Sequence, residues 1–260
     1  MPSMKDFFMQ ILREAGKIPL QYVEDDFVVK EKTDPFDLLS AADVAVHEFI
    51  TKQIALRYPD HQITSEEGKI EKEHFEYEWI IDPIDGTYNF VHGNPLWAVV
   101  LCVLRNGEIV YSGVFFPVSN QLYFADDSGA YLNNKKIHVV DTKEIKHSVA
   151  SIQAVAPFGP YGIKYEQFLK AKLTYIEKFG KREFSYFSPA DYMSVATGMF
   201  DFMASNAGLD WDKVPQKHIC EKAGAVVTDS DGNPWQRGRQ DIIISATPEL
   251  PEQVLALFRE

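Results

Sequence analysis

Two aspartates, three residues apart, follow a short apolar run in the first half of the chain. Asp82 comes directly after Trp79-Ile80-Ile81, and Asp85 follows Pro83 and Ile84. A buried strand that ends at Asp82, where Pro83 interrupts the ladder, would let the following turn direct both carboxylates into one space. Carboxylate oxygens are hard ligands that favour Mg²⁺ or Mn²⁺ over Zn²⁺. The segment therefore predicts a site for divalent cations.

The next two residues, Gly86 and Thr87, add an anion-binding feature. Glycine lets the backbone approach a ligand closely, and a helix that opens here would offer free N–H groups to an anion. The carboxylates would repel a phosphate at this position unless cations lay between them. The pattern therefore indicates a phosphate group held beside divalent cations.

Further acidic residues at three places in the chain could complete this site. Glu66 follows a predicted strand, Asp43 lies in the first turn of a predicted helix, and Asp212 stands just before another predicted helix. Each alone is more typical of a helix cap or a solvated charge. Their spacing alone does not join them to Asp82.

The elements around these residues change character along the chain. Ser3 is predicted to cap a first helix, and a second helix is predicted to start near Ser40 and to end at Pro59. A short strand is expected over 62–64. Residues 79–140 are predicted to form an antiparallel meander packed on these two helices, because Asn106-Gly107 between two apolar runs is a strong hairpin signal.

Strand and helix signals alternate after residue 141. Strands are predicted over 149–155, 182–187, 225–228 and 242–245. Helices are predicted over 161–179, 189–197, 214–223 and 249–258, with Pro215 in a first turn. The pattern predicts an α+β region over 1–143, which carries the metal-binding motif, and an α/β region over 144–260.

Composition excludes several classes of function. The 260 residues include 26 Lys and Arg against 38 Asp and Glu, which gives a net charge of −12. Such a chain is poorly suited to bind nucleic acid by neutralising phosphates. No apolar run approaches the ~20 residues of a membrane helix. Cys102 and Cys220 are expected to be buried free thiols in a cytoplasmic protein.

The run Asp82-Pro83-Ile84-Asp85-Gly86-Thr87 closely resembles the signature of the inositol monophosphatase family. Weaker motifs stand in the family's order, and the resemblance extends from about residue 30 to 245. They are Lys32-Thr33-Asp34-Pro35-Phe36-Asp37, Ser40-Ala41-Ala42-Asp43, Glu66-Glu67, Gly129-Ala130-Tyr131-Leu132-Asn133, Trp211-Asp212 and Gly224-Ala225-Val226-Val227. The resemblance implies the layered α/β/α/β/α sandwich shared with fructose-1,6-bisphosphatase.

The resemblance also implies a set of metal ligands. Glu66, Asp82 and the carbonyl of Ile84 would hold a first Mg²⁺, whereas Asp82, Asp85 and Asp212 would hold a second. Glu66 would reach a third, weaker site through water. Two to three Mg²⁺ per site are therefore expected, with Mn²⁺ as an alternative, together with inhibition by lithium.

The implied activity is hydrolysis of a small phosphate monoester by an activated water. Thr87, oriented by Asp43, would help activate that water, and the Gly86 and Thr87 amides would bind the phosphate. The implied partner is a small phosphorylated metabolite, and the family is commonly dimeric. Neither nucleic acid nor membrane is expected as a partner.

Several residues depart from the family's pattern near the alcohol half of the substrate. Ser65 stands where glycine is usual, and Lys213-Val214-Pro215 replaces small residues. Ser205 occupies the place of a glutamate in inositol-specific members and is predicted to bind substrate. The stretch 184–191 also lacks the usual small residues. These departures leave the preference for inositol open.

Other functions compete with this prediction. The same fold could act on fructose 1,6-bisphosphate, NADP, a 3′-phosphoadenosine nucleotide or histidinol phosphate. A regulatory protein could keep the fold and bind a partner. The segment Asp229-Ser230-Asp231-Gly232 could belong to an aspartyl-nucleophile phosphatase or a calcium loop, but a β-turn is the preferred interpretation.

Overall fold

The computed structural model describes residues 3–22, 29–31, 38–157, 161–180 and 182–259. The Lys32-Thr33-Asp34-Pro35-Phe36-Asp37 motif lies outside these residues. The helices of the described part are α1 Met4–Ala15, α2 Lys17–Leu20, α3 Ala41–Arg57, α4 Thr87–Val91, α5 Tyr165–Phe179, α6 Ser188–Ala196, α7 Asp210–Lys222 and α8 Leu250–Arg259. None of these helices combines the length and apolar character needed to cross a bilayer.

The strands form a small pair and two larger sheets. They are β1 Val29–Glu31, β2 Leu38–Ser40, β3 Gln62–Ser65, β4 Gly68–Ile70, β5 Tyr77–Asp85, β6 Ala98–Arg105, β7 Glu108–Phe116, β8 Gln121–Asp126, β9 Gly129–Leu132, β10 Lys135–Lys136, β11 Ala150–Gln153, β12 Phe202–Ser205, β13 Val226–Thr228 and β14 Ile242–Ser245.

The larger sheet has eight strands in the order β10-β9-β8-β7-β6-β5-β3-β4. Its meander from β5 to β10 is antiparallel, and β3 pairs with β5 in parallel. The hairpin between β6 and β7 turns at Asn106 and Gly107, both with positive φ, as the sequence predicts. The smaller sheet has the order β11-β12-β14-β13, in which β11 and β12 are parallel.

Alternating side chains on β5 and β6 build two separate cores on the faces of the larger sheet. Ile81 and Leu101 belong to one apolar cluster with helices α1 and α3, while Ile80 and Val100 belong to another with α6 and α7. This alternation follows from the two-residue period of a strand. Both faces of the larger sheet are therefore covered by helices.

Helices α6 and α7 also contact the smaller sheet, because Ile242 and Ile244 of β14 belong to their cluster. Ile243, between them, faces a third cluster formed with α5 and α8. The layers are thus helix, sheet, helix, sheet and helix, which confirms the predicted sandwich. The strands of the larger sheet end at Lys136 and those of the smaller sheet start at Ala150. The division between 143 and 144 stays a prediction.

Several local predictions are confirmed. Ser3 and Ser40 each form a capping box with an aspartate three residues later, Asp6 and Asp43. Cys102 and Cys220 are buried free thiols. Asp229 closes a tight turn, in which its Oδ1 accepts hydrogen bonds from the backbone N–H groups of residues 231 and 233.

Three predicted elements need correction, and a central strand was not predicted. Strand β5 continues past Asp82 to Asp85, because Pro83 sits in a register shift where pairing with β6 is interrupted and then resumes. Helix α7 begins at Asp210 rather than 214, so Pro215 lies inside the helix and Asp212 in its first turn. The prediction that Asp212 precedes the helix is therefore wrong.

The third correction and the missed strand concern the segments on either side of α6. Residues 182–187 form only an isolated bridge at Glu183, because the backbone N–H of Tyr186 donates to the Asp191 carboxylate instead of a neighbouring strand. Strand β12 lies at the centre of the smaller sheet and was not predicted from the sequence. Its sequence, Phe-Met-Ala-Ser, contains no β-branched residue that would mark it as a strand.

Candidate active site

A cavity of about 550 Å³ opens where β5 ends and helices α4 and α7 begin. Its lining includes most of the acidic residues that the sequence singles out, Glu66, Asp82, Asp85 and Asp212, together with Gly86 and Thr87. The volume is in the range of small-molecule sites. The fold therefore brings side chains from distant parts of the chain to one cavity.

Strand β5 delivers the central pair of carboxylates. Asp82 is 1% exposed and Asp85 is also buried. The register shift between them replaces regular alternation, so both residues line the cavity although they are three positions apart. The irregularity at Pro83 is thus the local feature that lets one strand supply two ligands.

Helix α7 supplies the third carboxylate from its first turn. Oδ2 of Asp212 accepts a hydrogen bond from the backbone N–H of Leu209 at 2.5 Å, which closes the helix start. Gly208 lies against it with φ +106°, and a Cβ there would stand 3.2 Å from the Asp212 Cβ. Carboxylate oxygens of Asp82, Asp85 and Asp212 lie within 4.8 Å of one another.

The buried carboxylates repel one another strongly. Burial, followed by the charges of Glu66, Asp85, Asp212 and Asp43, raises the pKa of Asp82 well above its usual value of 3.8. Burial and the charge of Asp212 likewise raise the pKa of Asp85. The Asp82 Oδ1 atom is buried and has no hydrogen-bond partner among the described residues.

This arrangement fits a divalent cation. A buried carboxylate oxygen without a partner carries a large desolvation cost. A hard cation would supply the missing contact and cancel the repulsion among three carboxylates. Asp82, Asp85 and Asp212 are therefore suitable ligands for Mg²⁺ or Mn²⁺.

Thr87 and Asp43 form a second polar unit beside the carboxylates. The Thr87 hydroxyl lies 2.9 Å from the Ile84 carbonyl oxygen and 3.3 Å from Asp43 Oδ1. Asp43 is buried, and its Oδ2 accepts hydrogen bonds from the Ser40 N–H and hydroxyl. Asp43 is therefore both the capping acid of α3 and a partner of Thr87.

The protonation of Asp43 depends on this environment. Burial is the largest cause that raises the pKa of Asp43 to about 7, against the hydrogen bonds from Ser40 that lower it. The charges of Glu66 and Glu67 add to the rise. Asp43 therefore exchanges a proton near neutral pH.

The remaining predicted residues occupy different parts of the site. Glu66 lies between β3 and β4 and lines the cavity, outside the cluster of three carboxylates. Gly86 caps α4 with φ 92°, and a Cβ there would stand 3.1 Å from the Leu96 carbonyl oxygen. Ser205 ends β12 and lines the cavity, with its hydroxyl donating to the Ala207 carbonyl at 3.2 Å.

Two further residues of α7 lie near the carboxylates, and the sequence analysis gave Gln216 no role and Lys213 only a place among the departures from the family pattern. The Gln216 side chain is fully buried, and its amide donates a hydrogen bond to Asp85 Oδ2. Lys213 is buried, with its Nζ 3.4 Å from the Tyr192 hydroxyl, and burial lowers the pKa of Lys213 to about 8. The spacing of four residues between Asp212 and Gln216 places both on one helix face. That spacing was a signal that could have identified Gln216.

Comparisons with known proteins agree with this geometry. A family model described as "Inositol monophosphatase family" matches residues 2–260. The chain is 32% identical to a putative Nus factor SuhB of Neisseria meningitidis, over 95% of this chain and 94% of the relative. It is 30% identical to a fructose-1,6-bisphosphatase/inositol-1-monophosphatase of Thermotoga maritima, over 92% and 90%.

A solved structure shows the same fold. The crystal structure of the extragenic suppressor protein SuhB from Bartonella henselae superimposes with a TM-score of 0.90 over 100% of this chain and 99% of that one, at 22% identity. The whole-chain match and the shared layered architecture lead to one conclusion. The chain belongs to the inositol monophosphatase family.

Proposed function

We propose that the protein hydrolyses a small-molecule phosphate monoester with water in a reaction that depends on Mg²⁺. The observation that carries this proposal is the cluster of Asp82, Asp85 and Asp212, in which the first two are buried and Asp82 Oδ1 has no hydrogen-bond partner among the described residues. A structural network of polar residues would satisfy that atom. A site built for a cation leaves it available as a ligand.

Asp82, Asp85 and Asp212 would hold divalent cations, with Glu66 and the Ile84 carbonyl as further ligands. When bound, such cations screen the carboxylates from the phosphate, lower the pKa of water and stabilise the leaving oxygen. The proposal includes two to three ions per site, with Mn²⁺ able to replace Mg²⁺.

The chain's own polar groups would orient the water and the ester. The Thr87 hydroxyl can donate its proton to Asp43 Oδ1, which leaves the Thr87 oxygen free to accept a hydrogen bond from the water. The pKa of Asp43, raised to about 7, lets that carboxylate take up a proton at neutral pH. Thr87 and Asp43 thus form a route for the proton that the water loses.

The start of α4 would hold the phosphate. Gly86 has no Cβ and a left-handed backbone, so the chain can turn sharply after Asp85 and present the Gly86 and Thr87 amides to the cavity they line. Backbone amides bind phosphate oxygens without adding a mobile side chain. Ser205 would contact the alcohol half of the substrate from the end of β12.

Removing the metal tests this proposal directly. Release of phosphate from glycerol 2-phosphate should be undetectable in EDTA and should return on addition of excess Mg²⁺. In the same samples Mg²⁺ should raise the melting temperature, because an ion at ~100 times its Kd stabilises the native state by about 2.7 kcal/mol. Full activity in a metal-free preparation would contradict the proposal.

Three finer properties belong to the same proposal. Lithium should inhibit the hydrolysis, the protein should be a homodimer, and it should act in the cytoplasm. Inhibition curves with LiCl, sedimentation equilibrium and fractionation of cells would test them in turn. A lithium-insensitive enzyme would remove only the lithium expectation.

A regulatory function is the second candidate, because a relative of 32% identity is named a putative Nus factor. Asp82, Asp85, Asp212 and Thr87 line one cavity, and Asp43 contacts the Thr87 hydroxyl, which favours hydrolysis. A variant that lacks Asp82 separates the two functions, since only hydrolysis requires the metal site.

A further inference from the structure

The same cavity is lined by aromatic side chains as well as by carboxylates. Tyr161, Tyr186 and Phe187 contribute to its lining, with Gln153 and Ser188 beside them. Tyr186 and Phe187 belong to the irregular stretch that precedes α6. We call these two residues the aromatic wall.

Phe187 has a backbone conformation that is almost restricted to glycine. Its φ is 106° and its ψ is 159°. A non-glycine residue in this region costs about 1–3 kcal/mol and persists only where the surrounding structure imposes it. Such strain in a residue that lines a ligand cavity indicates that the position of its side chain matters.

A buried carboxylate imposes this conformation. Asp191 is fully buried, and its Oδ1 accepts a hydrogen bond of 2.8 Å from the Tyr186 N–H. Its Oδ2 accepts hydrogen bonds from Ser151 Oγ at 2.7 Å and from Gln153 Nε2 at 2.6 Å. The Asp191 N–H donates to the Phe187 carbonyl at 3.1 Å. Asp191 therefore positions both the aromatic wall and Gln153.

The Tyr186 ring of the wall packs against the core, and both side chains of the wall remain exposed. The Tyr186 ring stacks on Phe200 with centroids 5.4 Å apart and planes at 20°, and Phe200 is itself buried. Tyr186 remains 39% exposed and Phe187 48% exposed. A held, exposed aromatic surface beside a polar cavity is typical of a site for a flat ligand, because little side-chain entropy is lost on stacking.

We propose that the alcohol half of the substrate carries a planar aromatic ring that stacks on Tyr186 and Phe187, and that the substrate is a nucleoside monophosphate. This inference rests on the proposed function. In the reaction, water adds to phosphorus, the P–O ester bond breaks, and the leaving oxygen takes a proton, which yields a nucleoside and inorganic phosphate.

The chemistry of the wall favours this class over a polyol phosphate. Every base has a π-face, and stacking on an aromatic side chain contributes about 1–3 kcal/mol per base. A polyol presents hydroxyl groups that lose their hydrogen bonds to water against an apolar ring. Gln153, Ser188 and Ser205 line the same cavity and offer polar groups for a ribose or a base edge.

The first experiment compares substrates and variants. The ratio of kcat/KM for adenosine 2′-, 3′- or 5′-monophosphate to kcat/KM for glycerol 2-phosphate is measured with Mg²⁺, with myo-inositol 1-phosphate and phenyl phosphate in parallel. We expect at least one adenosine monophosphate to be the preferred substrate. In Phe187→Gly the ratio for that ester should fall about 10-fold or more, because the stacking energy is lost.

Phe187→Gly is a suitable variant because glycine relieves the strain at φ 106°, so folding is not at risk. The matched control is Phe75→Ala, which removes an aromatic ring of 47% exposure that does not line the cavity. Its ratio should equal that of the wild type. Equal ratios in wild type and Phe187→Gly, or preference for inositol or phenyl phosphate, would overturn the inference.

The second experiment needs neither metal nor turnover. Saturation-transfer NMR with adenosine and the protein in EDTA should show transfer to the adenine protons, which weakens in Phe187→Gly and persists in Phe75→Ala. Hydrolysis of glycerol 2-phosphate without adenosine binding would overturn this inference and leave the proposed function intact. Adenosine binding without hydrolysis of any ester would overturn the proposed function and, with it, the assignment of a nucleoside monophosphate as the substrate.

Discussion

The acidic part of the cavity and its aromatic wall are built in different ways. Asp82 and Asp85 come from strand β5 at the centre of the larger sheet, and Asp212 comes from the first turn of α7. Tyr186 and Phe187 come from an irregular segment without a strand or helix of its own. The carboxylates are held by a strand and a helix, whereas the backbone of the wall is held by a buried carboxylate, Asp191, and the Tyr186 ring stacks on Phe200.

The contrast separates two tasks of the site. Groups that bind cations and phosphate must keep their positions, and strands and helices with full hydrogen bonding keep them. The wall contacts the variable half of the substrate, and a loop can change its side chains without disturbing the sheet. We therefore expect substitutions in the acidic cluster to abolish hydrolysis of every substrate. Substitutions in the wall should change the preference among substrates.

Asp82→Asn should have the largest effect. The neutral side chain removes a ligand charge, so kcat/KM for all phosphate esters should fall by roughly 10³-fold or more. The substitution also relieves repulsion among buried carboxylates, so the metal-free variant should melt at a higher temperature than the wild type. Phosphate-release assays and thermal melts in EDTA check both expectations. Turnover at the wild-type rate would exclude Asp82 from the reaction.

Asp191→Ala should have the next largest effect, on stability rather than on the chemical step. The change leaves the Tyr186 N–H and the Gln153 and Ser151 donors without their acceptor, which should cost about 1–3 kcal/mol or more. Urea unfolding measures the loss, and exposed Asp60→Ala is a control expected to stay within about 0.5 kcal/mol. Unchanged stability would show that Asp191 does not hold the wall.

The two regions should also differ in how pH and Mg²⁺ affect stability. The folded-state pKa values of Asp82 and Asp43 are raised, the latter to about 7, so the folded protein binds more protons than the unfolded chain above pH 3.8. These groups therefore destabilise the metal-free protein as pH rises towards 7. The stability gained by Asp82→Asn in EDTA should grow over that range, because the unfolded wild-type chain loses its Asp82 proton above pH 3.8 while the folded protein keeps it.

In Mg²⁺ the wild type should be more stable than Asp82→Asn, the reverse of the order in EDTA, since the ion binds the ionised wild-type site. The pKa of Asp191 is also raised, mainly by burial, so Asp191→Asn should show a pH dependence of the same direction. That dependence should not change with Mg²⁺. Urea unfolding of both variants and the wild type across pH, in EDTA and in Mg²⁺, measures these differences in stability. If Mg²⁺ changed the stability of Asp191→Asn relative to the wild type as much as that of Asp82→Asn, the acidic cluster and the wall would not be independent.

Ser205→Ala should have the smallest effect. The Ser205 hydroxyl already donates to the Ala207 carbonyl, so a substrate contact adds at most a shared hydrogen bond. Loss of a neutral hydrogen bond of about 0.5–1.5 kcal/mol should lower kcat/KM less than about 10-fold. Steady-state kinetics with adenosine monophosphates and glycerol 2-phosphate would check this. A larger loss, confined to one substrate, would give Ser205 a specificity role comparable to the wall.

Local patterns in the sequence predicted much of the fold. The capping boxes at Ser3 and Ser40 and the Asn106-Gly107 hairpin depend on residues within a few positions of one another. The three-residue spacing of Asp82 and Asp85 is equally local, although the sequence placed Asp85 in a turn after the strand rather than on it. Such features follow from backbone geometry and short-range hydrogen bonds, so they can be recognised without a structure.

Long-range contacts could not be predicted in this way. Gln216 donates to Asp85 across 131 positions of sequence, and Asp191 accepts from Gln153 across 38. Strand β12, which lacks β-branched residues, exists because it pairs with β11 and β14 at the centre of a sheet. Helix α7 begins about one turn earlier than the sequence predicted, so Asp212 lies inside the helix instead of before it.

The amino-acid sequence by itself determined which metal-binding carboxylates the site contains and which short elements carry them. The reason is that residue type and local spacing control strands, caps and turns. Only the tertiary structure decided that Asp212 meets Asp82 and Asp85, that Asp82 loses its contact with water, and that Phe187 is held in a strained conformation in the lining of the cavity. The physical reason is that burial, pKa shifts and strain depend on neighbours that are distant along the chain.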